Sequence, residues 1–199
     1  MTRAVFIAML LIVGACGPLV QIGGNAVPPD ALYTVSATSP AAVPASQVPV
    51  DMARAVSVDI PAVPGALQTL RIPVILSDTS IQYVQAAQWS EQPNRLFQRL
   101  LANTLTHNGI AVIDQRSSGT TGGRRLTGQL MAFGVDMREG QVVRVRYDAT
   151  LSGPDGLRQR RFEREAPVAR VDGADVSAAL NGAANALAAD VSRWIGTSG

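Results

Sequence analysis

Cysteine and histidine, two residue types that often carry chemistry in proteins, each occur once in this chain of 199 residues, as Cys16 and His107. A single thiol excludes a disulfide framework and a cysteine-based zinc site, and a single imidazole excludes a metal site with several histidine ligands. His107 could join a serine and an aspartate in a hydrolase triad, but it falls in the last turn of a predicted helix, where a surface imidazole is ordinary. No serine lies in a G-x-S-x-G elbow. We therefore expect no catalytic residue, no metal site and no cofactor.

The residues before Cys16 indicate what happens to its thiol. Arg3 is the only charge before Asp30, and ten apolar residues follow it without interruption. This run is too short for a membrane-spanning helix, which needs about 20 residues, and it is typical of a secretory signal. Val13-Gly14-Ala15-Cys16 resembles the lipobox of bacterial lipoproteins, in which the peptide is cut between Ala15 and Cys16 and acyl chains such as palmitate are attached to the cysteine. The alternative is an ordinary signal peptide in which Cys16 is incidental.

Composition bounds the remaining chain. Hydrophobic residues make up 47% and charged residues 16%, which is too apolar for a disordered protein. All 17 basic residues are arginine, and the net charge is only +2, so the sequence does not predict a nucleic-acid-binding protein. We divide the chain into a signal peptide (1–15), a lipidated N-terminus and tether (16–30) and one domain (31–196). A Pro/Ala/Ser-rich stretch at 38–50 is predicted to be a flexible loop.

Hydrophobic patterning predicts the elements of that domain. Short strands are expected at 32–35, 56–60, 67–76, 81–84 and 110–113. A helix capped by Ser90 should follow Trp89, with Leu96, Phe97, Leu100, Leu101 and Leu105 on its buried stripe. Three strands at 125–136, 142–152 and 157–166 form a meander, and a helix at 175–195 closes the chain. The sum is an α+β fold, a largely antiparallel sheet with two amphipathic helices packed on it.

Two groups of side chains are candidates for contact with a partner or with lipid. Arg144 and Arg146 could form a basic strip that meets lipid phosphates or an acidic surface, together with four arginines on the next strand, Arg158, Arg160, Arg161 and Arg164. The alternative is a solvated sheet face balanced by interleaved acidic residues. Tyr83 and Trp89 could form a contact near the helix entrance, or Trp89 could pack as a core aromatic. The alanine-rich last helix could associate with another copy or lie flat on its own sheet.

The order of elements, on a lipoprotein of this length, resembles the ABC-type transport auxiliary lipoprotein family (PqiC-like). Three segments carry the resemblance: Leu32-Tyr33-Thr34-Val35, Arg71-Ile72-Pro73-Val74, and the run from Ile81 to Pro93, in which Tyr83 precedes Trp89-Ser90-Glu91-Gln92-Pro93 at the start of a leucine-rich helix. The similarity covers roughly residues 31 to 195.

The resemblance implies a non-catalytic accessory lipoprotein. Members work with an MCE-domain protein and, through it, with an ABC permease and ATPase that move phospholipids or other hydrophobic molecules between the inner and outer membranes. This chain has no P-loop, so energy must come from a partner. Gly17 after Cys16 favours an outer-membrane location facing the periplasm. A homo-oligomer is compatible with the family, and a structural envelope lipoprotein, such as an outer-membrane assembly factor, is the alternative function.

Overall fold

The computed structural model describes residues 29, 31–38, 50–114, 119 and 123–197. The predicted signal peptide (1–15) and Cys16 lie outside the described residues. So do the predicted tether (16–30), apart from Pro29, and the predicted loop (38–50), apart from its two ends.

A single mixed sheet holds the described strands together, in the order β1-β4-β3-β5-β6-β7, with β2 beside one end of β5. In chain order the strands are β1 (Ala31–Tyr33), β2 (Val56–Val58), β3 (Arg71–Ser77), β4 (Ser80–Trp89), β5 (Arg124–Asp136), β6 (Val142–Gly153) and β7 (Gly156–Pro167). The helices are α1 (Pro93–His107) and α2 (Gly173–Gly196), and a short 3-10 turn spans Gly65–Leu67. The predicted α+β fold is confirmed.

The long strands pair antiparallel, β3 with β4, β5 with β6 and β6 with β7. Three short parallel pairings, β1 with β4, β2 with β5 and β3 with β5, make the sheet mixed. In β6, Val143, Val145, Tyr147, Ala149 and Leu151 are buried on one face, as their alternation with polar residues predicts.

Both helices pack on this same face. Tyr147 and Phe162 are register partners on β6 and β7 and therefore project to one side of the sheet. The ring of Phe97 on α1 meets Tyr147 at 5.2 Å, and the ring of Trp194 on α2 meets Phe162 at 5.6 Å. The predicted stripes of both helices are buried, from Leu96 to Leu105 and from Val176 to Ile195. Neither helix of the described residues packs on the opposite face of the sheet, which we call the open face.

Two local predictions were wrong. Ser90 does not cap α1, because β4 extends to Trp89 and the Ser90 amide donates to the Tyr33 carbonyl at 2.7 Å. The helix begins instead at Pro93, whose missing N–H and fixed φ suit a first helical position. The predicted strand at 110–113 is reduced to one bridge between Val112 and Val56, and its side chains are only half-buried.

The segment after β1 is fixed to α2 by two asparagines one helical turn apart. Asn181 Oδ1 accepts a hydrogen bond from the Ser36 amide at 3.0 Å. Asn185 donates to the Ser36 carbonyl and accepts from the Thr38 amide, both at 2.9 Å. These side chains replace the strand partner that the segment lacks. Residues 31–38 are therefore part of the folded body.

Candidate interaction surface

The open face receives its charged side chains through the alternation of β6 and β7. Arg144 and Arg146 alternate with the buried residues of β6 and so project away from the helices. Their register partners on β7 are Glu165 and Glu163. Cross-strand pairs of opposite charge stabilise such a face, since the paired Cβ atoms lie about 5 Å apart.

These groups form a continuous set of ion pairs, which we call the charge ladder. Asp136 at the end of β5 accepts from Arg138 at 2.7 Å and from Arg144 at 2.8 Å. Arg144 also contacts Glu165 at 2.6 Å and Glu163 at 3.3 Å. Pairs of Arg146 with Glu163 at 2.8 Å and of Arg138 with Asp78 at 2.8 Å complete the ladder, and Arg161 forms a separate pair with Asp148 at 2.6 Å on the same face.

Ion pairs on this face lower the pKa of three carboxyl groups. The hydrogen bonds from Arg138, together with the charge of Arg144, lower the pKa of Asp136 to about 2, even though burial opposes the shift. The pKa of Glu163 falls because Arg146 donates to it, and that of Asp148 falls because Arg161 does so. The predicted binding of phosphate by Arg144 and Arg146 would require these arginines to leave their carboxylates. The arrangement instead matches the alternative of a balanced charged face.

The predicted basic strip is also split between two faces of the sheet. Arg160 pairs in register with the buried residue Ala149, and its guanidinium lies 5.0 Å from the ring of Phe162, on the helix side. Neighbouring residues of a strand point to opposite faces, so Arg158, Arg160 and Arg164 cannot join Arg144 and Arg146. The expectation of one strip containing Arg144, Arg146 and Arg160 is therefore corrected.

Tyr83 and Trp89, the two aromatic candidates, are separated in the same way. Tyr83 is half-buried on the open face opposite Pro73, and the guanidinium of Arg71 lies 4.2 Å from its ring centroid. Trp89 is 0% exposed and packs against Phe133 at 5.3 Å, so it is a core residue and contacts no partner directly. Trp89 is the last residue of β4, and its indole packs in the core. This agrees with the alternative in which Trp89 is a core aromatic.

An apolar groove of about 260 Å³ adjoins the charge ladder on the open face. Its apolar lining includes Pro64, Ala66, Pro73, Ile75, Ile81 and Met131, and its polar end is formed by Asp78, Asp136, Arg138, Arg144 and Arg146. Ile81 is 47% exposed and Met131 41% exposed, and both of these large apolar side chains line the groove. The groove thus combines an apolar floor with a fully charged end.

Sequence reasoning missed this groove because two local irregularities build it. A β-bulge between Leu130 and Ala132 leaves Met131 without a place in the regular alternation of β5. Gly134 allows β3 to approach closely, since a Cβ there would lie 2.4 Å from the Pro73 carbonyl oxygen. The sequence shows that Ile81 and Met131 are apolar, but their exposure on a common groove depends on the pairing of β3 with both β4 and β5.

His107 is exposed in the last turn of α1, beside Thr38 and Asn185. In residues 29, 31–38, 50–114, 119 and 123–197, no three potential metal-ligating side chains cluster together. The helices within those ranges are all too short or too polar to cross a membrane.

Two solved structures share this fold. The protein XCC0632 from Xanthomonas campestris, assigned to family DUF330, superposes with a TM-score of 0.65 at 17% identity, over 85% of this chain and 95% of its own. A second, uncharacterized protein superposes with a TM-score of 0.62 at 20% identity, over 75% of this chain and 96% of its own. No curated protein sequence matches the chain.

A family model described as the ABC-type transport auxiliary lipoprotein component matches residues 33–192. The matched range includes strands β2 to β7, the whole of α1 and most of α2. The chain therefore belongs to the ABC-type transport auxiliary lipoprotein family.

Proposed function

We propose that this protein is a lipid-anchored, non-catalytic accessory component of an MCE-type ABC transport system, which moves phospholipids or other hydrophobic molecules between the inner and outer membranes. Its family supports a role as an auxiliary lipoprotein of the cell envelope. Its partner would be the MCE-domain protein and, through it, the permease and ATPase that supply energy. Cleavage after Ala15 and acylation of Cys16 would anchor it in the outer membrane, with the body facing the periplasm. More than one acyl chain gives stable anchoring without a transmembrane helix.

The observation that carries the docking role is the open face, where an apolar groove lies beside a fully paired charge ladder. Protein interfaces place an apolar centre inside a polar rim, and the groove with exposed Ile81 and Met131 matches such a centre. The ladder fits the rim, because a rim stays in contact with water and spares these ion pairs the penalty of desolvation. Tyr83, Arg144 and Arg146 all belong to this face, so three of the predicted contact residues contribute to the proposed docking surface.

Affinity purification from native envelopes tests the proposal. The tagged lipoprotein should retain the MCE-domain protein, and the substitutions Ile81→Glu and Met131→Glu should reduce the recovered amount at least tenfold, because each places a charge in the apolar centre. Leu32→Glu is the matched control, since Leu32 is 62% exposed but lies on β1 at the far edge of the sheet. Recovery of an outer-membrane assembly protein in place of an MCE-domain protein would contradict the proposal and support the structural alternative.

The anchor is tested separately. Cys16→Ala should leave the precursor uncut and abolish metabolic labelling with palmitate, and treatment with globomycin should leave the precursor uncut. Unchanged processing and unchanged fractionation with membranes would refute the lipidation of Cys16 without bearing on the docking surface.

A further inference from the structure

Four arginines at one corner of the domain differ from those of the open face because they form no ion pair with a carboxylate of the described residues. We call Arg54, Arg124, Arg158 and Arg160 the basic corner. No carboxylate of residues 29, 31–38, 50–114, 119 and 123–197 forms an ion pair with any of them. Every arginine of the open face that belongs to β5, β6 or β7 has such a partner: Arg125, Arg144, Arg146 and Arg161.

The structure holds three of these guanidinium groups close together despite their repulsion. Arg124 donates to the Arg54 carbonyl at 3.0 Å and to the Ile195 carbonyl at the end of α2 at 3.3 Å. Burial lowers the pKa of Arg124, and the positive charges of Arg54 and Arg158 lower it further, while Asp155 opposes them. Unpaired like charges destabilise a fold, so their retention at one place points to an anionic partner.

Aromatic stacking leaves the hydrogen-bonding edges of two guanidinium groups available. The Arg158 guanidinium lies 5.2 Å from the Trp194 ring centroid, and that of Arg160 lies 5.0 Å from Phe162. The two rings contact each other edge to face at 5.6 Å, so the four side chains form one row. Stacking uses the flat face of a guanidinium, and its N–H edges match the geometry of a phosphate.

Exposed apolar side chains border the basic corner. Leu157 precedes Arg158 at the tip of the β6–β7 hairpin, where it projects to the other side of the sheet and is 63% exposed, and Met52 is 40% exposed. The Met52 carbonyl accepts from the Gly123 amide at 2.7 Å, which places it directly beside Arg124. Arginine, isolated apolar residues and a tryptophan occur together on surfaces that lie at the boundary between lipid headgroups and acyl chains.

We propose that the basic corner docks on an anionic bilayer surface, with the guanidinium groups of Arg158 and Arg160 on lipid phosphates and with Leu157 and Met52 in the headgroup region. An acidic protein would satisfy the charges, but it would leave these scattered apolar side chains without a lipid boundary to enter. This role is additional to the docking surface of the proposed function and lies on different residues. It uses the same lipid anchor only to bring the body near the membrane.

The length of chain between anchor and body permits this orientation. Ala31 is the fifteenth residue after Cys16, and a chain of this length reaches about 50 Å when extended. Tyr33 lies against Gly173 at the start of α2, and the basic corner lies at its other end. The 24 residues of α2 span about 36 Å, so the extended chain is long enough for the corner to reach the membrane that holds the anchor.

Tryptophan fluorescence tests the proposal in the full lipidated protein. The chain has two tryptophans, and Trp89→Phe leaves only Trp194, which lies in the basic corner. The protein is reconstituted into vesicles with a fixed fraction of brominated phosphatidylcholine, the remainder being either plain phosphatidylcholine or phosphatidylglycerol. We expect quenching of Trp194 to be at least twofold larger with phosphatidylglycerol, and to fall towards the phosphatidylcholine value as NaCl is raised to about 1 M.

Two double variants distinguish docking through the basic corner from a general effect of positive charge on the protein. Arg158→Gln with Arg160→Gln should lower the ratio of docked to undocked bodies roughly 25-fold, at about fivefold for each arginine near an anionic surface. Arg71→Gln with Arg95→Gln is the matched control, because both arginines are exposed, neither has an ion pair in the described residues, and Arg71 also stacks on an aromatic ring. This control should leave the quenching unchanged.

Three results would overturn the proposal. They are equal quenching in both vesicle types, equal losses in both double variants, and no quenching in any vesicle, the last of which would favour an acidic protein as the occupant. Sedimentation of the protein with phosphatidylcholine vesicles reports only on insertion of the acyl chains. It therefore distinguishes loss of the lipid anchor from loss of docking by the basic corner. If the Arg158→Gln and Arg160→Gln variant does not fold, the salt dependence of the parent protein still decides.

Discussion

Arg144 and Asp136 form a diagonal ion pair across β5 and β6, at 2.8 Å. The direct register partner of Arg144 is Gly134, which offers no side chain, so the guanidinium pairs with the carboxylate two residues further along β5. Gly134 is itself required by the close approach of Pro73. The absence of one side chain therefore serves both the floor of the groove and the geometry of the charge ladder.

We expect Asp136 to make the stability of the domain depend on acid. Its pKa is lowered to about 2 in the folded protein, below the ordinary value of 3.8, so the stabilisation is complete above about pH 4 and is lost as the pH falls towards 2. The shift corresponds to about 2 kcal/mol. Urea unfolding of Asp136→Asn should show a loss of this size at pH 7 and a smaller dependence on pH between 4 and 2. A variant that loses stability in parallel with the parent protein across this range would contradict the assignment.

The strained backbone of β4 gives a second prediction. Ala86 has a φ of 50° within the irregular stretch where β4 stops pairing regularly with β3. Glycine adopts this region without the steric cost of a Cβ, so Ala86→Gly should be neutral or stabilising by up to about 1 kcal/mol. Ala87→Gly, at a buried position with ordinary φ, is the control and should destabilise the protein. Thermal unfolding of both variants measures the difference, and equal losses would show that the φ of Ala86 carries no strain.

Trp89 provides a third prediction because its indole N–H is buried with no hydrogen-bond partner among the described residues. Trp89→Phe removes this unsatisfied donor, which offsets part of the cost of the smaller ring, so the loss should stay below about 1.5 kcal/mol. Trp89→Ala should cost about 3–5 kcal/mol through the cavity that it leaves. Guanidinium unfolding distinguishes the two, and a loss for Trp89→Phe equal to that for Trp89→Ala would imply that the N–H has a partner.

The sequence predicted the elements whose hydrophobic period is unbroken. The meander and the two helices follow directly from alternation in β6 and from the stripe between Val176 and Ile195. The groove could not be predicted, because it depends on the bulge at Met131 and on contact between strands far apart in the chain. The faces of the arginines were predictable in principle. Alternation assigns Arg160 and Arg161 to opposite sides of β7, but the partner of each depends on the register with β6.

The attachment of residues 36–38 to α2 gives the last prediction. Asn185→Ala removes one hydrogen bond to the Ser36 carbonyl and one from the Thr38 amide, which should cost about 1 kcal/mol and release the segment from the helix. Asn181→Asp is the control, because its carboxylate still accepts from the Ser36 amide. Hydrogen exchange should be at least fivefold faster at Thr38 in Asn185→Ala and little changed at Ser36 in Asn181→Asp. Unchanged exchange at Thr38 would show that β1 and the contact of Tyr33 with Gly173 hold the segment without the asparagine. Faster exchange would identify Asn185 as the contact that holds the end of this folded segment, just before the predicted loop at 38–50.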